Sequence, residues 1–249
     1  MSLPISNKRY KDTEYWDERY TTEDEYEWLK SYSSFRHLVC KHVTQEDNIL
    51  MVGCGNSTLG VDMYKDGYKN IINTDISTVC IENQIKKYHK NFPELKWLVA
   101  DMTNMTCFKD DTFDVVIEKA TIDALLVAEK SRWTVSDETD VLIRDTLHEI
   151  SRVLKVGGRF ISITFDQPHF RIPLLAKSAF NWSVNFETFR EEESFHFYFF
   201  YMIKGAPLNE DFIKRNTIQD NVQTIVFSHD DVESSDNDED TFFTKFNVE

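Results

Sequence analysis

Residues 48–56 read Asn-Ile-Leu-Met-Val-Gly-Cys-Gly-Asn, and this stretch limits what the chain can fold into more than any other. Four apolar residues stop abruptly at Gly53-Cys54-Gly55, the pattern of a buried parallel strand that turns tightly and lets a ligand reach bare backbone. Twenty residues past Gly55, Asp75 closes a second apolar run, Ile71-Ile72-Asn73-Thr74. A carboxylate at that spacing sits beside a nucleoside ribose and can accept both hydroxyl hydrogens. Dinucleotide enzymes share this turn and acid, but their third glycine, which packs a helix behind a pyrophosphate, would fall at Thr58. The pattern therefore favours a nucleoside ligand without a diphosphate. The plain alternative is a structural strand that ends in a turn.

The same phrase recurs downstream. Lys96-Trp97-Leu98-Val99-Ala100 ends in Asp101, Phe113-Asp114-Val115-Val116-Ile117 ends in Glu118, and Arg159 to Thr164 follows the turn at Gly157-Gly158. Three acids at strand ends predict a polar site, because ligands of open parallel sheets bind outside the carboxyl ends of the strands. Asp140 to Leu154 carries a helical apolar period, read as packing. Trp182 to Phe189 and Phe195 to Ile203 alternate as strands and are joined by the polar Arg190 to Ser194, so they form a hairpin. His196, the polar exception in the second run, reads as a structural histidine. The expected fold is α/β: a Rossmann-like, seven-stranded, mostly parallel sheet with helices on both faces and an antiparallel last hairpin.

A chain of 249 residues can build one large domain of this class, taken as residues 1–227. Residues 228–249 hold seven acids between Asp230 and Asp240 with no base among them, a composition expected of a disordered tail. Cysteines 40, 54, 80 and 107 have neither C-x-x-C nor zinc spacing, so no metal is expected and the thiols read as reduced and cytoplasmic. The amino terminus lacks an apolar segment of signal-peptide length, and no run approaches the ~20 apolar residues of a membrane helix. A net charge of −15 argues against direct nucleic-acid binding and suits a basic protein client.

Val52-Gly53-Cys54-Gly55-Asn56, Asp75, Asp101-Met102 and Leu154-Lys155-Val156-Gly157-Gly158, in this order, resemble the motifs of class I S-adenosylmethionine-dependent methyltransferases, and the likeness runs from about Tyr15 to Gly205. Glu14 to Tyr20, Glu118 to Leu126, Arg132 to Ser136 and Pro168 to Arg171 narrow it to the elongation factor 1-alpha lysine methyltransferases, the methyltransferase-like group that includes an endothelin-converting-enzyme-fusion-associated member.

The resemblance implies a cofactor, S-adenosyl-L-methionine, left as S-adenosyl-L-homocysteine. It would be held by Gly53, Gly55, Asp75, Ile76, Asp101, Met102 and Lys119. Read from residues alone, Trp16 and Tyr20 share a helix face at i, i+4, as in an amphipathic helix covering the sheet edge. The resemblance makes Trp16, Tyr20 and Trp28 a lid over the cofactor, where aromatic faces would also attract a sulfonium. Lys119 has a simpler alternative, a surface cation paired with Glu118 or Asp123. By analogy Glu118, Asp123 and Trp133 face the acceptor, with no catalytic base assigned; the chain lacks the Asn-Pro-Pro-Tyr type of motif found in many amino-group methyltransferases. The acceptor implied is a lysine of elongation factor 1-alpha. A small-molecule methyltransferase and a silent cofactor-binding module are the alternatives.

Overall fold

The computed structural model describes residues 7–131, 134–190 and 196–217. Its centre is β1 (Ile49–Val52), and the four apolar side chains of this strand are all buried. They divide by the period of two. Ile49 and Met51 enter one core with Val115, Ile117 and Ile161, while Leu50 and Val52 enter the opposite core with Val116 and Phe160. A strand buried on both faces requires helices on both faces. On the first side lie α2 (Tyr32–His42), α3 (Leu59–Lys65) and α4 (Thr78–Tyr88); on the second lie α5 (Thr121–Leu126), α6 (Asp137–Val153) and α7 (Pro168–Leu175).

The sheet has seven strands in the order β3-β2-β1-β4-β5-β7-β6. With β1, the strands β2 (Ile71–Asp75), β3 (Lys96–Val99), β4 (Phe113–Lys119) and β5 (Leu154–Thr164) are parallel. The last two, β6 (Trp182–Phe189) and β7 (Phe197–Lys204), form an antiparallel hairpin laid against β5. Strand order reverses direction of travel at β1, between β2 and β4, so the switch point of the sheet lies where the glycine turn emerges.

Three sequence expectations change in detail. Gly157-Gly158 does not precede β5 but lies within it, at a register break opposite Phe113 and Val115. Gly157 takes φ +83°, and a Cβ on Gly158 would come within 2.9 Å of Asp114 O, so the pair makes a bulge that only glycines fit. The amino-terminal aromatics form not one covering helix but a short α1 (Thr13–Tyr20), a connecting stretch and α2, with Leu29 at φ +65° between them. His196 stands exposed just ahead of β7 rather than inside the strand. The proposed domain limit at 227 and the acidic tail lie outside the described residues. The last described helix is α8 (Glu210–Thr217). No helix among the described residues is long and apolar enough to cross a membrane.

Candidate active site

The glycine turn opens a cavity at the carboxyl ends of β1, β2 and β4. Gly53 and Gly55 both hold φ above +50°, a region that strains any residue with a Cβ. Sterics reinforce this, since a Cβ on Gly53 would lie 2.4 Å from Thr121 Cγ2, and one on Gly55 would lie 3.0 Å from the Tyr20 hydroxyl. Asp75, the last residue of β2, is fixed by two backbone donors: Gly55 N–H to Oδ2 at 2.9 Å and Ser77 N–H to Oδ1 at 3.0 Å. Each oxygen keeps a lone pair for a further donor. Burial pushes the Asp75 carboxyl above its ordinary pKa, against the lowering effect of those two N–H groups. Beyond it, Ile76, Ala100, Met102, Leu125 and Leu142 form an apolar wall, with Asp101 and Thr103 at the rim. Asp101 Oδ1 accepts from both the amide and the hydroxyl of Thr103, which sets the shape of that loop.

Trp16, Tyr20 and Trp28 all line the cavity, although α1 and the connecting stretch are remote from the glycine turn in sequence. Trp16 stacks on Tyr20 at 5.7 Å and meets Trp28 edge-on at 6.4 Å, while its indole N–H donates to Tyr10 O. Arg19 lies over the Trp16, Tyr26 and Trp28 rings and pairs with Glu23 through two 2.8 Å bonds. The segment is moored to α4 by Ser77 Oγ donating to Asp17 and by Asn83 Nδ2 donating to Tyr20 O. Hydrogen bonds as well as ring packing therefore hold this aromatic cluster beside the glycine turn.

Lys119 is neither exposed nor paired with Glu118 or Asp123. Its ammonium donates to Glu27 at 2.9 Å and to Trp28 O at 2.7 Å, with its side chain 5% exposed. Burial lowers its pKa, and Glu27 opposes that effect. The same Glu27 accepts from Ser57 Oγ and from Thr58 N–H, capping the start of α3. One carboxylate thus ties the connecting stretch to the glycine loop and to β4. Glu27 carried no sequence signal, being one of six acids from Asp17 to Glu27.

Glu118 and Asp123 do not reach the cavity. Both are 1% exposed and sit behind it, and the reason is the left-handed turn at Ala120 (φ +63°), which starts α5 directly above β4. Glu118 accepts the N–H groups of Thr121 and Ile122 and the Ser162 hydroxyl, serving as the acceptor for the first turn of α5. Asp123 is paired with fully buried Arg171 at 2.8 Å and accepts the Thr164 hydroxyl at 2.6 Å. The sequence expectation that both carboxylates face the acceptor is therefore corrected: both are buried behind the cavity and line neither its wall nor its mouth. Trp133 lies outside the described residues.

Glu118 gives a pH-dependent expectation. Its pKa is pushed up to about 7 by burial, with Arg171 opposing. The native state then retains a proton that the unfolded chain releases near 4.5, so stability falls as pH rises between these values. Glu118→Gln removes that dependence. Urea unfolding should show the variant gaining on the wild type from pH 5 to pH 8; parallel changes in the two proteins would contradict a raised Glu118.

Gly60 supplies what the missing third glycine would have. A Cβ there would approach Asn73 Oδ1 to 2.2 Å, so close packing of α3 on β2 has moved two positions past Thr58. Gly60 is visible in the sequence, but five residues past Gly55 rather than at the three-residue spacing of the dinucleotide pattern.

This arrangement defines a class. Residues 44–226 match the methyltransferase domain family, and the chain belongs to it. Among curated relatives, EEF1A lysine methyltransferase 4 of Mus musculus is 39% identical over 210 residues, covering 83% of this chain and 81% of the mouse protein. The eEF1A lysine and N-terminal methyltransferase of Homo sapiens is 33% identical over 169 residues, which span 67% of this chain but 23% of that larger protein. Of solved structures, geranyl diphosphate C-methyltransferase from Streptomyces coelicolor, in complex with S-adenosyl-L-homocysteine, matches with TM-score 0.53 at 13% identity, over 82% of this chain and all of that one. At such identity the likeness is one of fold.

S-adenosylmethionine is the cofactor of this methyltransferase, and the cavity fits it. Asp75 offers unfilled lone pairs beside a turn whose glycines leave room for a ribose, and the apolar wall from Ile76 to Leu142 suits an adenine.

Proposed function

We propose that the chain is a cytoplasmic protein-lysine N-methyltransferase acting on elongation factor 1-alpha. The likeness to the mouse enzyme of that name, running through most of both chains, carries the acceptor assignment. Four free cysteines among the described residues support a reducing compartment. The bound cofactor supplies an electrophilic methyl group on a sulfonium. Asp75 would hold the ribose, Met102 and Ile76 the adenine, and Trp16, Tyr20 and Trp28 would close over it. Transfer from a good leaving group needs chiefly alignment and exclusion of water, which an aromatic lid can provide. The acceptor lysine must arrive neutral although its free pKa is about 10.4, and an apolar, aromatic mouth disfavours the ammonium. A basic client also suits the acidic surface, and no nucleic-acid or membrane partner is proposed.

Radiolabelled cofactor with purified, folded elongation factor 1-alpha tests the assignment. Label should enter that protein and reside on lysine by mass spectrometry. Label confined to small molecules of a cell extract would favour the small-molecule alternative, and none at all a binding module.

The lid gives a separate expectation. Trp16 packs against Tyr10, Tyr15, Tyr20 and Trp28, so Trp16→Ala should lower the melting temperature and, measured below the variant's own transition, weaken cofactor binding about 5- to 30-fold, the value of a ~1 to 2 kcal/mol cation–π contact. If calorimetry finds wild-type affinity, the aromatics serve packing alone.

A further inference from the structure

Cys54 lies between the two turn glycines and Cys80 in the first turn of α4, twenty-six residues on, so no spacing rule relates them. The fold nevertheless brings their thiols together. The Cys54 and Cys80 sulfurs and a carboxylate oxygen of Asp75 all lie within 4.8 Å of one another, the only such three-donor group among the described residues. A tetrahedral zinc with bonds of about 2.3 Å to sulfur spaces two sulfurs about 3.8 Å apart, so little movement would bring the three donors onto one ion.

Their supports are already in place. The Cys54 amide donates to Thr74 O at 2.9 Å, the Cys80 amide to Ser77 Oγ at 3.0 Å, and both Asp75 oxygens are held by backbone N–H groups. The two amide bonds fix the backbone that carries the cysteines, and the Asp75 carboxylate itself is oriented as metal-ligating carboxylates are. A second, independent feature points to a missing partner. Gln84, one helical turn past Cys80, is 1% exposed, and its Oε1 has no hydrogen-bond partner although its Nε2 reaches Gly55 O. Gln84, Cys80 and Tyr20 also line a second cavity, which shares Tyr20 and Asn56 with the main one. A buried carbonyl oxygen without a donor is costly, and a metal-bound water or the metal itself would satisfy it.

We propose that Cys54, Cys80 and Asp75 form a site for a thiophilic divalent cation of the zinc type, with Gln84 Oε1 or a water as fourth donor. Binding releases both thiol protons to solvent, because the sulfurs coordinate as thiolates. Since Asp75 and Cys54 also line the main cavity, the cation and the cofactor exclude each other. That second statement rests on the cofactor assignment to Asp75; metal binding itself does not. The site would make methyl transfer sensitive to free zinc.

The test uses the full chain, cofactor-free and reduced, titrated with cobalt(II) as a spectroscopic probe and then with zinc. A thiolate-to-cobalt charge-transfer band should grow to one equivalent and be bleached by zinc. Cys80→Ser and Cys54→Ser should lose it, with zinc affinity falling by at least the ~10- to 100-fold that even an outer-shell change costs. Cys40→Ser and Cys107→Ser, whose cysteines are exposed, should keep it. Circular dichroism establishes that each variant is folded. If a variant does not fold, the wild type blocked by alkylation and followed by peptide mapping identifies the protected cysteines instead. No band, or one that survives Cys80→Ser, overturns the site. Added S-adenosylmethionine should abolish the band. Metal bound without competition would keep the site but detach it from the cofactor, whereas competition lost in Cys80→Ser with methyl transfer retained would establish zinc sensitivity through this cluster.

Discussion

Asp75→Ala should weaken S-adenosylmethionine binding by about 1.5 to 3 kcal/mol, or roughly 10- to 150-fold, the range for charge-assisted hydrogen bonds lost to a bound ligand. The structure adds a reason for the upper end. Asp75 also accepts Gly55 N–H and Ser77 N–H, so its removal frees the glycine loop and the start of α4 together. Asp75→Asn keeps the shape and one acceptor oxygen, and should fall between the wild type and alanine. Calorimetry on both variants, with melting curves to verify folding, separates ligand contact from loop support. If asparagine binds as weakly as alanine, the charge does the holding; if it binds as the wild type does, the side chain acts through the loop. Wild-type affinity in a folded Asp75→Ala protein would remove Asp75 from the ribose site.

The sheet was legible because strands buried on both faces leave apolar runs: Ile49–Val52 is unbroken, and Ile71-Ile72 and Val115-Val116-Ile117 are shorter cores of β2 and β4. The hairpin was legible for the opposite reason, the alternation of apolar and polar residues from Trp182 through Val184 to Phe186. What sequence could not supply was depth. Glu118 and Asp101 both follow apolar runs, yet one is sealed beneath α5 and the other stands at the rim, and only the left-handed turn at Ala120 decides between them. Partners distant in sequence were equally out of reach: Lys119 finds Glu27 across 92 positions, and the thiol of Cys54, in the turn after β1, finds that of Cys80 in α4. Motifs locate the backbone that a ligand touches, whereas the side chains that complete the site come from whatever the fold packs over it.

Arg171→Ala should be the most destabilising single change, at about 3 to 5 kcal/mol, because it leaves buried acids without their cation. Arg171 is wholly buried in α7, and Nη2 donates to Asp123 at 2.8 Å and to the Thr164 hydroxyl at 2.7 Å, while Nε lies 3.8 Å from Asp166. Glu118 is also under its field. These acids sit on the strand end, the strand-to-helix loop and α5, so the guanidinium joins three elements behind the cavity rather than one pair. Without it Glu118 loses the cation that holds its pKa down and keeps its proton to still higher pH, while the unfolded chain releases that proton near 4.5, so the loss should be larger at pH 8 than at pH 5. Pairing Arg171→Met with Asp123→Leu removes the ion pair and its desolvation cost together, and should recover part of the stability, as apolar replacement of a buried pair often does. Urea unfolding of the wild type, both single variants and the double variant measures this. A single variant within about 0.5 kcal/mol of the wild type, the range of ordinary surface changes, would mean that the buried acids do not depend on Arg171.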